Sequence, residues 1–421
     1  MFASHYIILL LYVAVRILAQ TPPISSGPYV PNASVGGGGS QFKDSPHFRI
    51  HGVSDGQADV AIKHLEAAYA CFVSDMGWRS HGLSYNKGTD SGPKYKENIY
   101  AVATLGSAAG QMFSDARTGY SYVKTIKSGV SDPKVVVHEY GHALTYHERG
   151  WVDQKRTGVW WETVANFFAD TYMTSPLCAK ARAQFGNPEG RTIIELNKII
   201  GSSHQTLVDG STGSGNYYQA WPFLSYLTHN PDKWEGLGRT VMPEMFRKYK
   251  KGSNETPFHA LERVIAPMKV SKVVGRYWAR MAYVDIGHAQ AQKRFMEMRG
   301  RLNYANLDQA GGGNYKVKSL RSPKYMGASI IPLKGTGAIS VSIKAGGPFT
   351  ATLAVRAQGG AVKYVDIQGG KGGTTLASGE EATLVVANTP DTLLMYDGFK
   401  VAGTEVTKGL DFTLQITGAT A

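Results

Sequence analysis

The sequence predicts an α+β fold in two parts: a mixed region of helices and a small sheet over residues 46–310, followed by a β-sandwich over residues 315–421. Two observations carry this prediction. Apolar residues recur at helical spacing through much of the first part, whereas short β-prone runs follow one another about every ten residues in the second. The triplet Gly311-Gly312-Gly313 marks the change between the two patterns.

The first 45 residues indicate export rather than a folded element. Residues 1–19 are predicted to be a signal peptide, because Ile7 to Val15 form an apolar run too short to span a bilayer and Ala19 suits cleavage; an uncleaved anchor is the alternative. Residues 20–45, rich in Pro, Ser and Gly, are predicted to be a flexible linker. The triplets that begin at Asn32 and Asn254 are N-glycosylation sequons and agree with a secreted, extracellular glycoprotein.

Composition narrows the class of protein. Of the 421 residues, 43% are apolar, so the chain can bury a core and is not globally disordered. The formal net charge is +13, but the basic residues are scattered and no nucleic-acid-binding module is recognisable. We therefore predict no nucleic-acid partner and, once the leader is removed, no membrane association. Cys71 and Cys178 form one disulfide or remain two buried thiols, and the sequence leaves both open.

Periodicity and turn signals then place the individual elements. In the first part they predict a helix over 58–76, strands at 98–105 and 119–124, and helices at 133–148, 160–174, 218–228, 239–250, 256–267 and 271–300. The helix from 133 has the clearest start, since Ser131-Asp132-Pro133 supplies a capping residue and a first-turn proline. The sandwich strands are predicted at 328–333, 338–344, 350–357, 362–368, 382–387, 392–396 and 411–416.

The residues suited to chemistry lie in the helix predicted from residue 133. His138-Glu139-Tyr140-Gly141-His142 is an HExxH motif; four residues make about one helical turn, so His138 and His142 project from one face and can ligate one zinc ion. Glu139 is rotated away from them and is the predicted general base for a zinc-activated water. A catalytic zinc takes three protein ligands, and Glu162, twenty residues after His142 in a second apolar helix, is the predicted third.

This arrangement resembles the gluzincin peptidases, in which HExxH is followed about twenty residues later by a glutamate on the next helix. The resemblance covers only about residues 133–175, and the similarity to thermolysin is distant. The chain therefore looks like a divergent secreted branch of the gluzincins. It implies a zincin-like catalytic domain with one catalytic zinc, acting on peptide or protein substrates, and a substrate-facing edge strand that we place at Asn98–Leu105. In thermolysin-like enzymes an aspartate four residues after the ligand glutamate supports a zinc histidine; here Asn166 and, one turn further, Asp170 are the candidates for that support.

A hydrolase of this type also needs a hydrogen-bond donor for the developing oxyanion. The resemblance implies a tyrosine or histidine downstream of Glu162, and we place Tyr218 first; core or rim packing is the competing interpretation. The other candidates are Tyr217, His204 and His229. Two further interpretations are structural: Trp160 and Trp161 are packing residues beside the site, and Asp285 and His288 each make a buried hydrogen bond rather than ligate a metal.

Two other functions remain open at this point. A secreted glycan- or cell-wall-binding protein with a structural zinc site suits the sandwich and the basic charge, although Glu139 would then have no purpose and a structural site is usually closed by a fourth ligand. A zinc hydrolase acting on a non-peptide amide would have an identical zinc centre. The C-terminal domain is where contact with a glycan or a cell wall is expected.

Overall fold

The computed structural model describes residues 27–87, 89–211, 213–214 and 216–421. The chain has the predicted α+β fold, with a mixed region followed by a C-terminal β-sandwich. The predicted signal peptide, residues 1–19, and the start of the predicted linker lie outside the described residues. Within the described part, none of the helices has both the length and the apolar character needed to cross a membrane.

The first part of the chain is built around one five-stranded sheet. Its strands are β1 (Tyr29–Val30), β2 (Phe42–Asp44), β3 (Phe48–His51), β4 (Lys94–Tyr95), β5 (Glu97–Val102), β6 (Gly110–Asp115) and β7 (Tyr120–Ile126). The sheet has the order β2-β3-β5-β7-β6; β3, β5 and β7 run parallel, while β2 and β6 are antiparallel edge strands. Strands β1 and β4 form a separate parallel pair.

The first two helices pack against this sheet, and further helices follow them along the chain. They are α1 (Asp55–Tyr69), α2 (Pro133–His147), α3 (Trp161–Thr174), α4 (Ala179–Gln184), α5 (Leu196–Ile199), α6 (Asn216–Gln219), α7 (Trp221–His229), α8 (Val241–Lys248), α9 (Pro257–Ile265), α10 (Val270–Met281) and α11 (Ala289–Met298). Helix α2 starts as predicted, because the Asp132 side chain accepts a hydrogen bond from the Lys134 N–H and Pro133 needs no N–H in the first turn. Helix α3 packs closely on α2 at Gly141, where a Cβ would lie 2.8 Å from Cδ2 of the buried Phe168.

The described part of the predicted linker is not flexible but belongs to the fold. Strands β1 and β2 lie within it and pair with β4 and β3. Val35 is buried, and its carbonyl oxygen accepts hydrogen bonds from Asn98 Nδ2 at 2.9 Å and Tyr100 Oη at 2.6 Å. The linker prediction is therefore wrong for residues 27–45. The Gly and Ser residues of this segment allow tight turns, and the segment packs on the sheet.

The long helix predicted over 271–300 is in fact two helices. Residues 282–288 separate α10 from α11, and within them Val284 (φ 50°) and Gly287 (φ 81°) have left-handed backbone conformations that cannot continue a helix. Asp285 lies in this break and accepts a hydrogen bond from Arg280, and His288 caps α11.

The C-terminal sandwich contains two layers that share one long strand. Its strands are β8 (Leu307–Gly311), β9 (Asn314–Val317), β10 (Ala328–Ala345), β11 (Phe349–Arg356), β12 (Val362–Asp366), β13 (Lys371–Leu376), β14 (Glu381–Asn388) and β15 (Phe412–Thr420). The first half of β10 pairs with β14 and the second half with β13 and β15. The sandwich thus begins at Leu307, and the strand predicted at 392–396 is instead part of the loop between β14 and β15.

The two parts of the chain share apolar contacts. Helix α10 packs on β11 and β14. Ala354 and Val385 of these strands are buried in the same apolar cluster as the helices of the first part. A second cluster, which includes Leu353 and Leu384, fills the space between the sandwich layers. The sandwich is therefore packed against the rest of the protein as well as within itself.

Candidate metal centre

The structure brings together the three side chains that the sequence names as zinc ligands. One nitrogen from each of His138 and His142 and one oxygen from Glu162 all lie within 4.8 Å of one another. The Oε2 atom of Glu162 is 3.1 Å from His138 Nε2 and 3.6 Å from His142 Nε2. Ligand atoms bound to a tetrahedral zinc at 2.0–2.1 Å are about 3.3 Å apart, so the two distances from Glu162 to the histidines are close to those that zinc requires.

The electrostatics of these three residues also suit a cation. Burial opposes the ionisation of Glu162, but hydrogen bonds from His138 and His142 outweigh it and lower the pKa of this carboxyl. Burial likewise opposes the charged form of His142, yet Glu162 raises its pKa. The side chains keep 14%, 15% and 27% of their surface exposed, so the site is open on one side. An open position beside three ligands is what distinguishes a catalytic zinc site from a structural one.

Asn166 orients the first of the two histidines, His138. Its Nδ2 donates to the carbonyl oxygen of Tyr218 at 2.9 Å, which turns its Oδ1 towards His138 Nδ1 at 3.0 Å. Because an amide oxygen only accepts, His138 donates its Nδ1–H to Asn166, which turns the Nε2 edge of the ring towards Glu162 and the open side of the cluster. Asn166 therefore makes the contact predicted for a residue that supports a ligand.

Glu139 lies beside His138, His142 and Glu162 and against the edge strand β6. Its side chain is only 6% exposed, and burial raises its pKa although His142 and His138 counteract this. The N–H of Met112 donates to its carboxylate, and a Cβ on Gly110 would lie 2.6 Å from its Cγ. The edge strand next to the site is thus β6, which the sequence did not predict. The placement of that strand at Asn98–Leu105 is wrong, because β5 lies between β3 and β7 in the middle of the sheet.

The two adjacent tyrosines lie close to the centre. Thr163 donates to the carbonyl oxygen of Tyr217, and Asn166 to that of Tyr218, so α3 holds both. The Tyr218 side chain is exposed. Partial burial raises its pKa, and the charges of Glu162 and Glu139 raise it further, which places the phenol in the field of both carboxylates.

The matching family model spans residues 49–358. The chain belongs to a family of unknown function, DUF6055. The range matched by the family starts in β3 and ends just after β11, so it includes α2, α3 and the first half of the sandwich. No curated protein matches the chain.

Two histidines predicted as possible oxyanion donors, His229 and His204, interact with residues outside the metal centre. His229 bonds to Ser175 Oγ at 2.9 Å and to the Ser225 carbonyl at 2.8 Å. Burial lowers the pKa of His204 to about 4, and the charges near it belong to Arg321 and Lys324. The structure therefore does not place either histidine next to Glu139 or Glu162; of the predicted donors, Tyr217 and Tyr218 remain, and Tyr218 stays the first candidate.

Asp170 does not support a ligand histidine, so that prediction is wrong. It is fully buried and accepts hydrogen bonds from His288 Nε2 at 2.5 Å, from Thr192 Oγ1 at 2.8 Å and from the Ile193 N–H at 2.8 Å. The position of α11 explains the difference, because its capping histidine reaches α3 there. The predicted buried hydrogen bond of His288 is confirmed by the same contact.

The remaining predicted residues are the two cysteines, the two tryptophans and the two sequon asparagines. Cys71 and Cys178 are joined in a disulfide, which ties the end of α1 to the turn before α4 and decides between the two alternatives. Trp160 is buried, and Trp161 donates its indole N–H to the Trp151 carbonyl, so both pack beside the site as predicted. The sequon residues Asn32 and Asn254 are partly exposed and exposed, respectively, and their glycosylation stays a prediction.

Proposed function

We propose that this protein is a secreted zinc-dependent metallopeptidase of the gluzincin type, with His138, His142 and Glu162 as the metal ligands. The observation that carries the proposal is the position of the Glu162 carboxylate, 3.1 and 3.6 Å from the two histidine nitrogens and open to solvent on one side. The intact Glu139 beside this group supports catalysis over a structural role, since a structural site gains nothing from a buried carboxylate next to it.

The mechanism assigns one task to each side chain. A bound zinc ion would supply a Lewis acid that lowers the pKa of water and polarises a substrate carbonyl. Glu139 accepts the proton of the attacking water and delivers it to the leaving amine. The Met112 N–H and strand β6 hold Glu139 in place for both transfers. The Tyr218 hydroxyl, which keeps its proton because its pKa is raised, donates a hydrogen bond to the developing oxyanion.

Export and peptide hydrolysis are parts of the same proposal. The disulfide between Cys71 and Cys178 supports export, because such bonds persist in oxidising compartments. The choice of a peptide bond as substrate rests on the resemblance to gluzincins, which covers HExxH and the following glutamate. A non-peptide amide would be hydrolysed by the same groups and is therefore an outcome that the experiment must separate.

The test measures zinc content and casein cleavage for the wild type, Glu139→Gln and Glu297→Gln. Glu297 is an exposed glutamate on α11, so its variant is a matched control for loss of one carboxylate. We expect about one zinc ion per chain in all three proteins, and cleavage reduced by about 10²–10⁴ only in Glu139→Gln. Zinc without cleavage of any peptide library would indicate a structural site or a non-peptide substrate. Wild-type protein that binds no zinc would refute the proposal altogether.

A further inference from the structure

The loop between β14 and β15, residues 389–411, leaves the sandwich and packs against the first part of the chain. Val401 and Val406 of this β14–β15 loop are buried in the same apolar cluster as Val159 and Trp160, which directly precede α3. The loop follows the range that matches the family model, which ends at residue 358. It is therefore a part of the sandwich that contacts the chain next to the metal centre.

Gly398 in this loop connects two separate segments of the first part. Its N–H donates to the carbonyl oxygen of Lys155 at 3.1 Å, and its own carbonyl oxygen accepts from the N–H of Gly210 at 3.0 Å. A Cβ on Gly398 would overlap Cγ1 of the buried Val159. The absence of a side chain at this position allows the close approach that both hydrogen bonds need.

The next residue, Phe399, packs its ring between the same two segments. A Cβ on Gly158 would lie 3.4 Å from Cε2 of this ring, and a Cβ on Gly210 would lie 2.7 Å from its Cδ1. The ring of Phe399 and the side chain of Val159 both lie where a Cβ of residue 210 would be, so their packing requires a glycine at that position. Removing the ring would leave a gap between the two segments and loosen the packing of Val159 on Gly210.

Both segments lead directly into the metal centre. Residues Gly158–Trp160 form a 3-10 turn that continues into α3, and Glu162 lies in the first turn of that helix. The segment after Gly210 leads to Tyr217 and Tyr218, whose carbonyl oxygens are held by α3. A shift of either segment would therefore move the third ligand or the tyrosine pair.

We propose that Gly398 and Phe399 of the β14–β15 loop are positioning residues for the metal centre. They clamp the segment that delivers Glu162 against the segment that delivers Tyr217 and Tyr218. The sandwich thus takes part in building the site and is not only an appended module. This inference rests on the proposed function, because it takes the three side chains to be zinc ligands.

The test compares the metal affinity and coordination of Phe399→Ala with those of Met395→Ala. Met395 lies in the same loop, and its side chain is 56% exposed, so its variant controls for a change in the loop alone. Competition titration with a chelator gives the zinc Kd, and the visible spectrum of the cobalt-substituted protein reports the ligand geometry. We expect Phe399→Ala to weaken zinc binding about tenfold and to change the cobalt spectrum, with kcat reduced more than KM is raised. Phe399→Tyr, which keeps the ring, should restore all three quantities.

Gly398→Ala is the second variant and should produce the same changes, because its Cβ displaces Val159 without removing the Phe399 ring. If Phe399→Ala and Gly398→Ala fold with lower Tm but unchanged zinc Kd and cobalt spectrum, the loop only stabilises the fold and the inference is overturned. If the wild type itself binds no zinc, the proposed function fails instead. The titration therefore separates the failure of one proposal from the failure of the other.

Discussion

Replacing Gly110 by alanine tests whether strand β6 sets the position of Glu139, the proposed catalytic base. The added Cβ would lie 2.6 Å from Cγ, 2.8 Å from Oε1 and 3.0 Å from Cδ of Glu139. Carbon atoms in contact are normally about 3.5–4.0 Å apart, so the Glu139 side chain has to move by roughly 1 Å. The movement also disturbs the hydrogen bond that the Met112 N–H gives to the carboxylate.

The size of the effect follows from this displacement. A misplacement of about 1 Å at a reacting group costs on the order of 10² in rate, or about 2.7 kcal/mol in the activation barrier. The three atoms nearest to the added Cβ all belong to Glu139, and none belongs to His138, His142 or Glu162. We therefore expect kcat of Gly110→Ala to fall about a hundredfold while zinc content stays at the wild-type value.

The assay measures kcat and KM with a fluorogenic peptide, together with zinc per chain, for the wild type, Gly110→Ala and Gln111→Ala. Gln111 is the next residue of β6 and is exposed, so Gln111→Ala should keep wild-type kcat. Wild-type kcat in zinc-loaded Gly110→Ala would refute the reasoning, because Glu139 would then not need the space that the glycine leaves. Loss of zinc in Gly110→Ala would refute it differently, by showing that the strand acts on the ligands.

Three further predictions concern polar side chains. Asn166→Leu removes the acceptor for His138 Nδ1–H and should weaken zinc binding about 10–100-fold in a chelator titration; an unchanged Kd would contradict the orienting role. Asp170→Asn breaks the buried pair with His288 and should lower the free energy of unfolding in urea by about 3–5 kcal/mol; a changed zinc Kd would argue for the rejected supporting role. Burial raises the pKa of Glu97 to about 8, although Ser121 donates to it, so the folded protein keeps a proton that the unfolded chain releases above its ordinary pKa near 4.5. Stability should therefore fall as pH rises from about 4.5 to 8, by up to about 5 kcal/mol, and Glu97→Gln should remove this slope in urea unfolding at pH 5 and pH 8. An equal slope in both proteins would show that Glu97 is ionised in the fold.

The proximity of His138 and His142 could be predicted because their geometry is local. His138 and His142 are one helical turn apart, and α2 has a clear start at Pro133, so their common face follows from the sequence. Glu162 could be placed on the next helix because an isolated carboxylate in an apolar helix needs a partner. Asp170 follows the same helical spacing from Asn166, yet it pairs with His288, which is 118 residues away and invisible to any local pattern.

The edge strand could not be predicted for a physical reason. Residues Glu97–Tyr100 of β5 are buried on both faces, which produces the strong β-prone signal of a central strand. Strand β6 is paired on one side and partly exposed, so Gly110–Asp115 carries little apolar alternation. Strand β6 matters for the site because Gly110 packs directly against Glu139. This contact joins two separate segments of the chain, so no local sequence pattern predicts it.

The two predicted parts of the chain also depend on each other more than the sequence indicates. The sequence separates the sandwich by its β-prone runs and a glycine triplet, which suggests a module that acts on its own. In the structure α10 packs on β11 and β14, the apolar cluster of the first part includes Val385, and the family match crosses the boundary at Leu307 without ending there. Gly398 then joins the sandwich to the segments that carry Glu162 and Tyr218. A protein cut before Leu307 would expose these apolar faces and lose the contacts of Gly398, so we expect the proposed metal centre to need the sandwich.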